Sequence, residues 1–353
     1  MPARAGEQRG QARPGARRPP PPGPAAGVLT GRGVPRAQVV EIQRSRLLAG
    51  AVGSIEELGY ARTTVGSIAG RARVSRRTFY ELFANRDECL AAVLEDVVAA
   101  VAGELAAAGL EGVAWRERVR GGLWTILSFF DREPALARVC VVQASRGGPE
   151  VLKRREEILA RLTSVVDEGR LKGARGAECT PLTAEGLVGA AFTIVYARLL
   201  RGERKPLTDL QGDLMGMIVL PYQGAAAARR EQARPAPPVR RRPPVTSAVA
   251  ATPTATDPLG GVSMRLTYRT ARVLEGVADH TGASNRQISD YAGIRDPGQV
   301  SKLLRRLEIL ELLANSSGGH AKGEPNAWTL TAKGEQVARS VRIHSAPHER
   351  EAA

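Results

Sequence analysis

Thr63-Thr64-Val65-Gly66-Ser67-Ile68-Ala69-Gly70-Arg71-Ala72-Arg73-Val74-Ser75-Arg76-Arg77-Thr78-Phe79-Tyr80-Glu81-Leu82-Phe83 is the stretch that decides the fold. Thr64 carries a side-chain oxygen suited to capping a helix start, and Val65, Ile68, Ala69 and Ala72 behind it fall on one helical face. Arg73-Val74 reads as a tight turn, after which Ser75 is a second cap. The segment Arg76-Arg77-Thr78-Phe79-Tyr80 then opens another short helix, with two guanidinium groups and a hydroxyl on its outer side.

The flanks agree with this reading. From Arg36 to Leu58 the apolar positions Val39, Ile42, Leu47, Ala51, Ile55 and Leu58 recur every three to five residues, the spacing of one helix face, and Gly59 supplies the stop. Asn85 is a third cap and begins a long helix from Arg86 to Ala107.

This block resembles the N-terminal DNA-binding region of TetR/AcrR-like regulators. The resemblance is carried by Gly59-Tyr60, Thr63-Thr64-Val65, Ile68-Ala69, Val74-Ser75-Arg76, Thr78-Phe79-Tyr80, Phe83 and Asn85-Arg86-Asp87. Two positions depart from the family pattern: Arg73 stands in the turn and Arg77 before Thr78, where glycine is usual. A non-glycine residue in a left-handed turn costs about 1 kcal/mol, which a fold tolerates. The resemblance implies a helix-turn-helix whose second helix enters the major groove. Arg76 and Arg77 are the candidates to read bases, because a guanidinium can make a bidentate contact to guanine. Thr64, Ser75, Tyr80 and Arg86 are assigned to phosphates, each lying at a helix start or on its outer face, and Thr78 suits either role.

Residues 86–224 read as helices throughout, at 86–107, 113–131, 134–145, 149–172, 182–202 and 207–221, several with proline in the first turn. The family resemblance implies a regulatory domain that binds a small ligand and dimerises through its last two helices. Leu187, Ala190, Ala191 and Ile194, with Leu214, Met217 and Ile218, would form that seam. Trp115, Trp124, Phe129, Phe130, Phe192 and Tyr196 are candidates to line the ligand pocket, which in a helical domain is mostly apolar.

Farther along, 267–280 reads as helical, and Ser284-Asn285-Arg286-Gln287 is a capping box opening a helix that stops at Gly293. Asp296-Pro297-Gly298-Gln299 starts a third helix, with Gln299, Lys302, Arg305 and Arg306 on its polar face. Two short strand-like pieces, 312–315 and 327–330, flank a polar loop and precede a last helix at Thr331. The order resembles MarR-type winged helices, which implies DNA contact by Lys302, Arg305 and Arg306 and, in the wing, by His320 and Lys322. Winged helices also serve as protein-interaction modules, and 264–345 carries only twelve basic against eight acidic residues.

The charge of the whole chain, 51 Lys plus Arg against 36 Asp plus Glu, is a net +15 that points to a polyanionic partner. Its location qualifies that inference. Residues 1–36 hold seven arginines against one glutamate, and 225–262 hold six against two acids. The same segments carry fifteen of the 23 prolines, so both read as disordered. No apolar core follows the first arginines, so no signal peptide is expected, and the best uncharged apolar run, 187–197, is shorter than a membrane span. Three scattered cysteines and four histidines suggest neither a disulfide framework nor a metal site. No paired carboxylates, nucleophile elbow or phosphate loop is present, so no catalysis and no cofactor are expected.

The expected fold is mainly α: a TetR-like helix-turn-helix at 37–88 and an all-helical regulatory domain at 89–224, followed by a small α+β winged-helix domain at 263–345. A basic tail (1–36), a linker (225–262) and a short end (346–353) complete the division. The expected function is that of a ligand-responsive homodimeric repressor, cytoplasmic and nucleoid-associated when bound to an operator in double-stranded DNA. The rival is a protein-interaction adaptor with only nonspecific DNA affinity.

Overall fold

The computed structural model describes residues 35–235, 259, 262, 264–316 and 326–343. Among the described residues the chain is mainly helical with one two-stranded sheet. The head consists of α1 (Arg36–Leu58), a single 3-10 turn (Tyr60–Arg62), α2 (Val65–Ala72), α3 (Arg76–Leu82) and the start of α4 (Arg86–Ala107). Its core gathers Leu47, Leu48, Ile55, Ile68, Phe79, Phe83, Leu90 and Val93. Leu47, Ile55 and Ile68 are among the positions expected from the helical spacing, because an α-helix turns the same face inward every three to four residues.

The middle of the chain continues with α5 (Trp115–Arg132), α6 (Pro134–Ala137), α7 (Pro149–Lys172), α8 (Pro181–Arg201) and α9 (Gln211–Ala233). The helix expected at 134–145 is interrupted: a π-turn (Arg138–Gln143) and a 3-10 turn (Ala144–Arg146) follow α6. Among the described residues α8 is long and apolar enough to cross a membrane by length and composition alone. The expectation concerned an uncharged run, and α8 contains Glu185, Arg198 and Arg201.

The linker expected from 225 begins later. Gly224, with φ 79° and ψ 173°, breaks α9 into two arms, a conformation that glycine adopts without a Cβ penalty. The second arm, 225–233, folds back along the first: a Cβ on Gly216 would lie 2.5 Å from the Gln232 side chain. Ala227, Ala228 and Glu231 of this arm are buried. Arg120 of α5 fixes this arm by donating to the Glu231 carboxylate at 2.9 Å and to the carbonyls of Arg234 and Pro235, both at 3.0 Å. The side chains of both ions are at least nine-tenths buried, so each satisfies a charge that would otherwise be stranded away from water. Composition misled here because the prolines and most arginines of 225–262 come after Gln232, whereas Ala225 to Ala233 are good helix formers.

The C-terminal unit contains α10 (Tyr268–Asp279), α11 (Asn285–Ala292), α12 (Pro297–Ile309), β1 (Leu313–Asn315), β2 (Trp328–Leu330) and α13 (Ala332–Ile343). The strands are antiparallel, with Ala314 opposite Thr329. Leu259 and Val262, assigned to the linker, are buried in this unit's core, and so are Val39 and Ile42 of α1. The expectations for residues 1–34, for 236–258, for the 346–353 end and for His320 and Lys322 fall outside the described residues.

Candidate nucleic-acid interface

The helix-turn-helix is held by the caps its sequence announces. Thr64 Oγ1 accepts from the Ser67 backbone N–H at 3.1 Å, and Ser67 Oγ accepts from the Thr64 N–H at 3.0 Å, a reciprocal capping box at the start of α2. Ser75 Oγ accepts from the Thr78 N–H at 3.0 Å and lies 2.8 Å from Thr78 Oγ1. Asn85 caps α4 by accepting from the Glu88 N–H at 2.9 Å. Between the two short helices Arg73 takes the left-handed conformation, φ 54°, that its place in the turn demands. The hydroxyls of Thr64 and Ser75 therefore have structural partners already; an oxygen that accepts from a backbone N–H still has a proton to offer a phosphate.

The outer face of α3 is open. Arg76, Arg77 and Tyr80 are exposed, with 59% of Tyr80 accessible. Arg77 donates to Glu81 one turn on at 2.9 Å, an exposed pair that contributes little and can be exchanged for another acceptor. The guanidinium of Arg76 lies over Gly66, where a Cβ would come within 2.8 Å of Nη2, so α2 leaves room for it beside Thr64.

Arg86 has structural partners within the head. Its Nη1 donates to the carbonyls of Tyr60 and Thr63, at 3.1 and 2.8 Å, and its guanidinium stacks 4.1 Å from the centre of the Tyr60 ring. A guanidinium with these contacts ties the start of α4 to the 3-10 turn, through Nη1, in addition to the phosphate role expected of it.

Tyr60 belongs to a contact that sequence reasoning missed. Its backbone N–H donates to Gln143 Oε1 at 3.3 Å, its hydroxyl hydrogen-bonds the Asp87 carboxylate, and that hydroxyl accepts from the Gly148 N–H at 3.0 Å. Burial and the Asp87 carboxylate together hold the Tyr60 phenol above its ordinary pKa. An Arg138–Glu56 ion pair joins the same two parts of the chain. The head is thus bonded to the turns ahead of α7. The local signal was Gly59-Tyr60 itself, since two of the partners, Gln143 and Gly148, lie more than eighty residues away.

The six aromatic residues expected around a ligand are not gathered about one cavity. Trp115 packs edge-on against Tyr222 in one cluster, Phe129 belongs to the core shared with the head, and Phe192 and Tyr196 line a third. Phe130 lies between the second and third clusters, and Trp124 is half-buried. A cavity of about 270 Å³ lies elsewhere, between α10, β2 and α13, with Val277, Leu330 and Ala338 in its lining.

Of the expected dimer seam, Leu214 and Ile218 are buried inside the protomer, which removes them from it. Leu187, Ala191, Ile194 and Met217 are half-buried and Ala190 is exposed. Leu182, Gly186, Gly189, Thr193 and Leu200 of α8 are exposed as well, with 70% of Leu182 accessible.

In the C-terminal unit Gln299, Lys302, Arg305 and Arg306 lie exposed on α12. Gln299 accepts from Arg269 at 3.0 Å, and the three cations make no ion pair among the described residues. Asn285 joins α11 to both neighbours: it donates to Ser301 Oγ at 3.1 Å and accepts from Trp328 Nε1 at 2.6 Å.

Residues 47–93 match the family model described as bacterial regulatory proteins, tetR family. No curated protein matches the chain. Similar solved structures include the fatty acid degradation regulator FadR of Bacillus halodurans, 19% identical over 50% of this chain and 94% of that one, TM-score 0.45. FadR of Bacillus subtilis in complex with stearoyl-CoA is 19% identical over 52% and 98%, TM-score 0.43. RolR in complex with resorcinol is 21% identical over 57% and 98%, TM-score 0.40.

Proposed function

We propose, from the premise that residues 47–93 belong to the tetR family of bacterial regulatory proteins, that the chain is a cytoplasmic, ligand-responsive repressor that binds operator DNA as a homodimer. The observation that carries this reading is the capped pair α2–α3, whose exposed Arg76 and Arg77 stand on a helix supported from beneath by buried Phe79 and Phe83. Arg76 and Arg77 read base edges, while Thr64, Ser75, Thr78 and Tyr80 meet phosphate oxygens beside them.

The exposed apolar stripe of α8, from Leu182 through Ala190 to Leu200, with Met217 of α9, is the face proposed to meet a second copy. An apolar helix left open in the protomer is stabilised when a partner removes it from water. Two heads held in this way face half-sites about one helical turn of DNA apart. A small molecule entering the α5–α9 region acts on the heads through Tyr60: any shift of Gln143 or Gly148 pulls on the turn that Arg86 fastens to α4. Its effect is to favour a separation of the heads that no longer fits the duplex, a population shift set by its differential affinity for the two arrangements.

The test is enrichment of duplexes from a random-sequence pool by the intact chain. A two-fold symmetric motif is the expected outcome. Recovery of no motif, with binding that depends on salt alone, would establish the adaptor reading instead.

A further inference from the structure

The two ends of α1 belong to different cores. Leu47, Leu48, Ala51, Val52 and Ile55 pack into the head, whereas Val39 and Ile42 are buried among the residues of the C-terminal unit. Polar contacts reinforce the second attachment. Gln43 Nε2 donates to the Leu266 carbonyl at 2.8 Å. Arg46, 2% exposed, donates to the carbonyls of Met264 at 2.8 Å and Val262 at 3.3 Å. Burying a guanidinium is costly unless acceptors surround it, and here the acceptors are backbone atoms of the segment that leads into α10. All four α1 residues precede the family match, which begins at residue 47. The C-terminal unit is therefore seated on the first helix of the head.

On that unit α12 presents Lys302, Arg305 and Arg306 to solvent without acidic partners among the described residues. Asn285, held between Ser301 and Trp328, fixes the helix against α11 and the hairpin. Exposed cations on a rigid helix are complementary to a duplex, whose phosphates lie in regular rows.

We propose that the C-terminal unit is a second DNA-contacting element, held by α1 at a fixed distance from α3, so that each protomer touches the operator at two separate places. This rests on the reading of α3 as the sequence-reading helix and adds to it a flanking contact made by Lys302, Arg305 and Arg306. Fixed attachment also implies a constant spacing between the two contacts, which a freely tethered domain would not produce.

The experiment uses a duplex enriched from a random-sequence pool by the full chain, with flanking sequence retained, and compares hydroxyl-radical footprints of three proteins. The intact chain is expected to protect central positions and, at one constant distance, outer positions. The surface variant Lys302→Ala/Arg305→Ala/Arg306→Ala is expected to lose the outer protections and keep the central ones, with the salt dependence of binding reduced by about one unit of slope for every phosphate no longer neutralised. A chain with a Gly-Ser insertion within 236–258 is expected to give the footprint of the intact chain. An unchanged footprint and salt slope in the triple variant would overturn the proposal and leave α12 to a protein partner. Outer protections that spread or move with the insertion would overturn the fixed attachment. Failure of the central protections in the intact chain would instead refute the reading of α3, so the two outcomes are separable.

Discussion

The pairs α2–α3 and α11–α12 are built on the same local rules and end with different surfaces. Each first helix opens with a reciprocal capping box, Thr64 with Ser67 and Ser284 with Gln287. Each closes on a left-handed residue, Arg73 at φ 54° and Gly293 at φ 65°. Each second helix starts at an oxygen cap, Ser75 or Asp296. The difference lies in what surrounds the cations. Arg77 is paired with Glu81 and Arg76 is tucked over Gly66, whereas Lys302, Arg305 and Arg306 form no ion pair among the described residues. Local capping makes a helix pair; the placement of charge around it separates a surface able to read bases from one suited to phosphate rows.

Four sets of changes sharpen that contrast, in decreasing order of effect. Replacing both Arg76 and Arg77 with alanine is expected to weaken operator binding by roughly 1–3 kcal/mol for each bidentate arginine–base pair removed, and to relax sequence preference, measured by competition at fixed salt. Asn285→Ala removes the acceptor of the Trp328 indole N–H and is expected to destabilise the C-terminal unit by about 1–3 kcal/mol in urea unfolding, without altering central DNA protections. Thr64→Ala and Ser284→Ala each delete one half of a capping box; both are expected to cost about 1 kcal/mol, and a much smaller loss at either site would show that the two boxes are not equivalent. The turn residues give opposite signs. Arg73→Gly is expected to stabilise by up to about 1 kcal/mol, and Gly293→Ala to destabilise by a similar amount, although a Cβ at Gly293 meets nothing within 4 Å.

Caps and helical spacing were legible in the sequence because they depend on residues within one turn of each other. Thr64, Ser75, Asn85, Ser284 and Asp296 all cap the helices expected of them. Contacts between distant parts of the chain left no such trace. Arg46, a charge in the middle of α1, is among the most buried polar groups. Arg86 reads as a helix-start cation, yet Tyr60 and Thr63 occupy it. Glu231 looks like an isolated acid in an arginine-rich linker until Arg120, more than a hundred residues earlier, is brought against it. The apolar residues of α5, α8 and α9 were recognisable as helix faces; which of them pack inside one protomer, as Leu214 and Ile218 do, depends on helices far apart in the sequence.

The central claim is that α3 reads sequence through Arg76 and Arg77. It is tested most directly by titrating the intact chain and the double alanine variant against an enriched duplex and a scrambled one at the same salt concentration. The intact chain should discriminate between them by at least ~10³, and the variant should approach equal affinity for both. Undiminished discrimination in the variant would contradict the account.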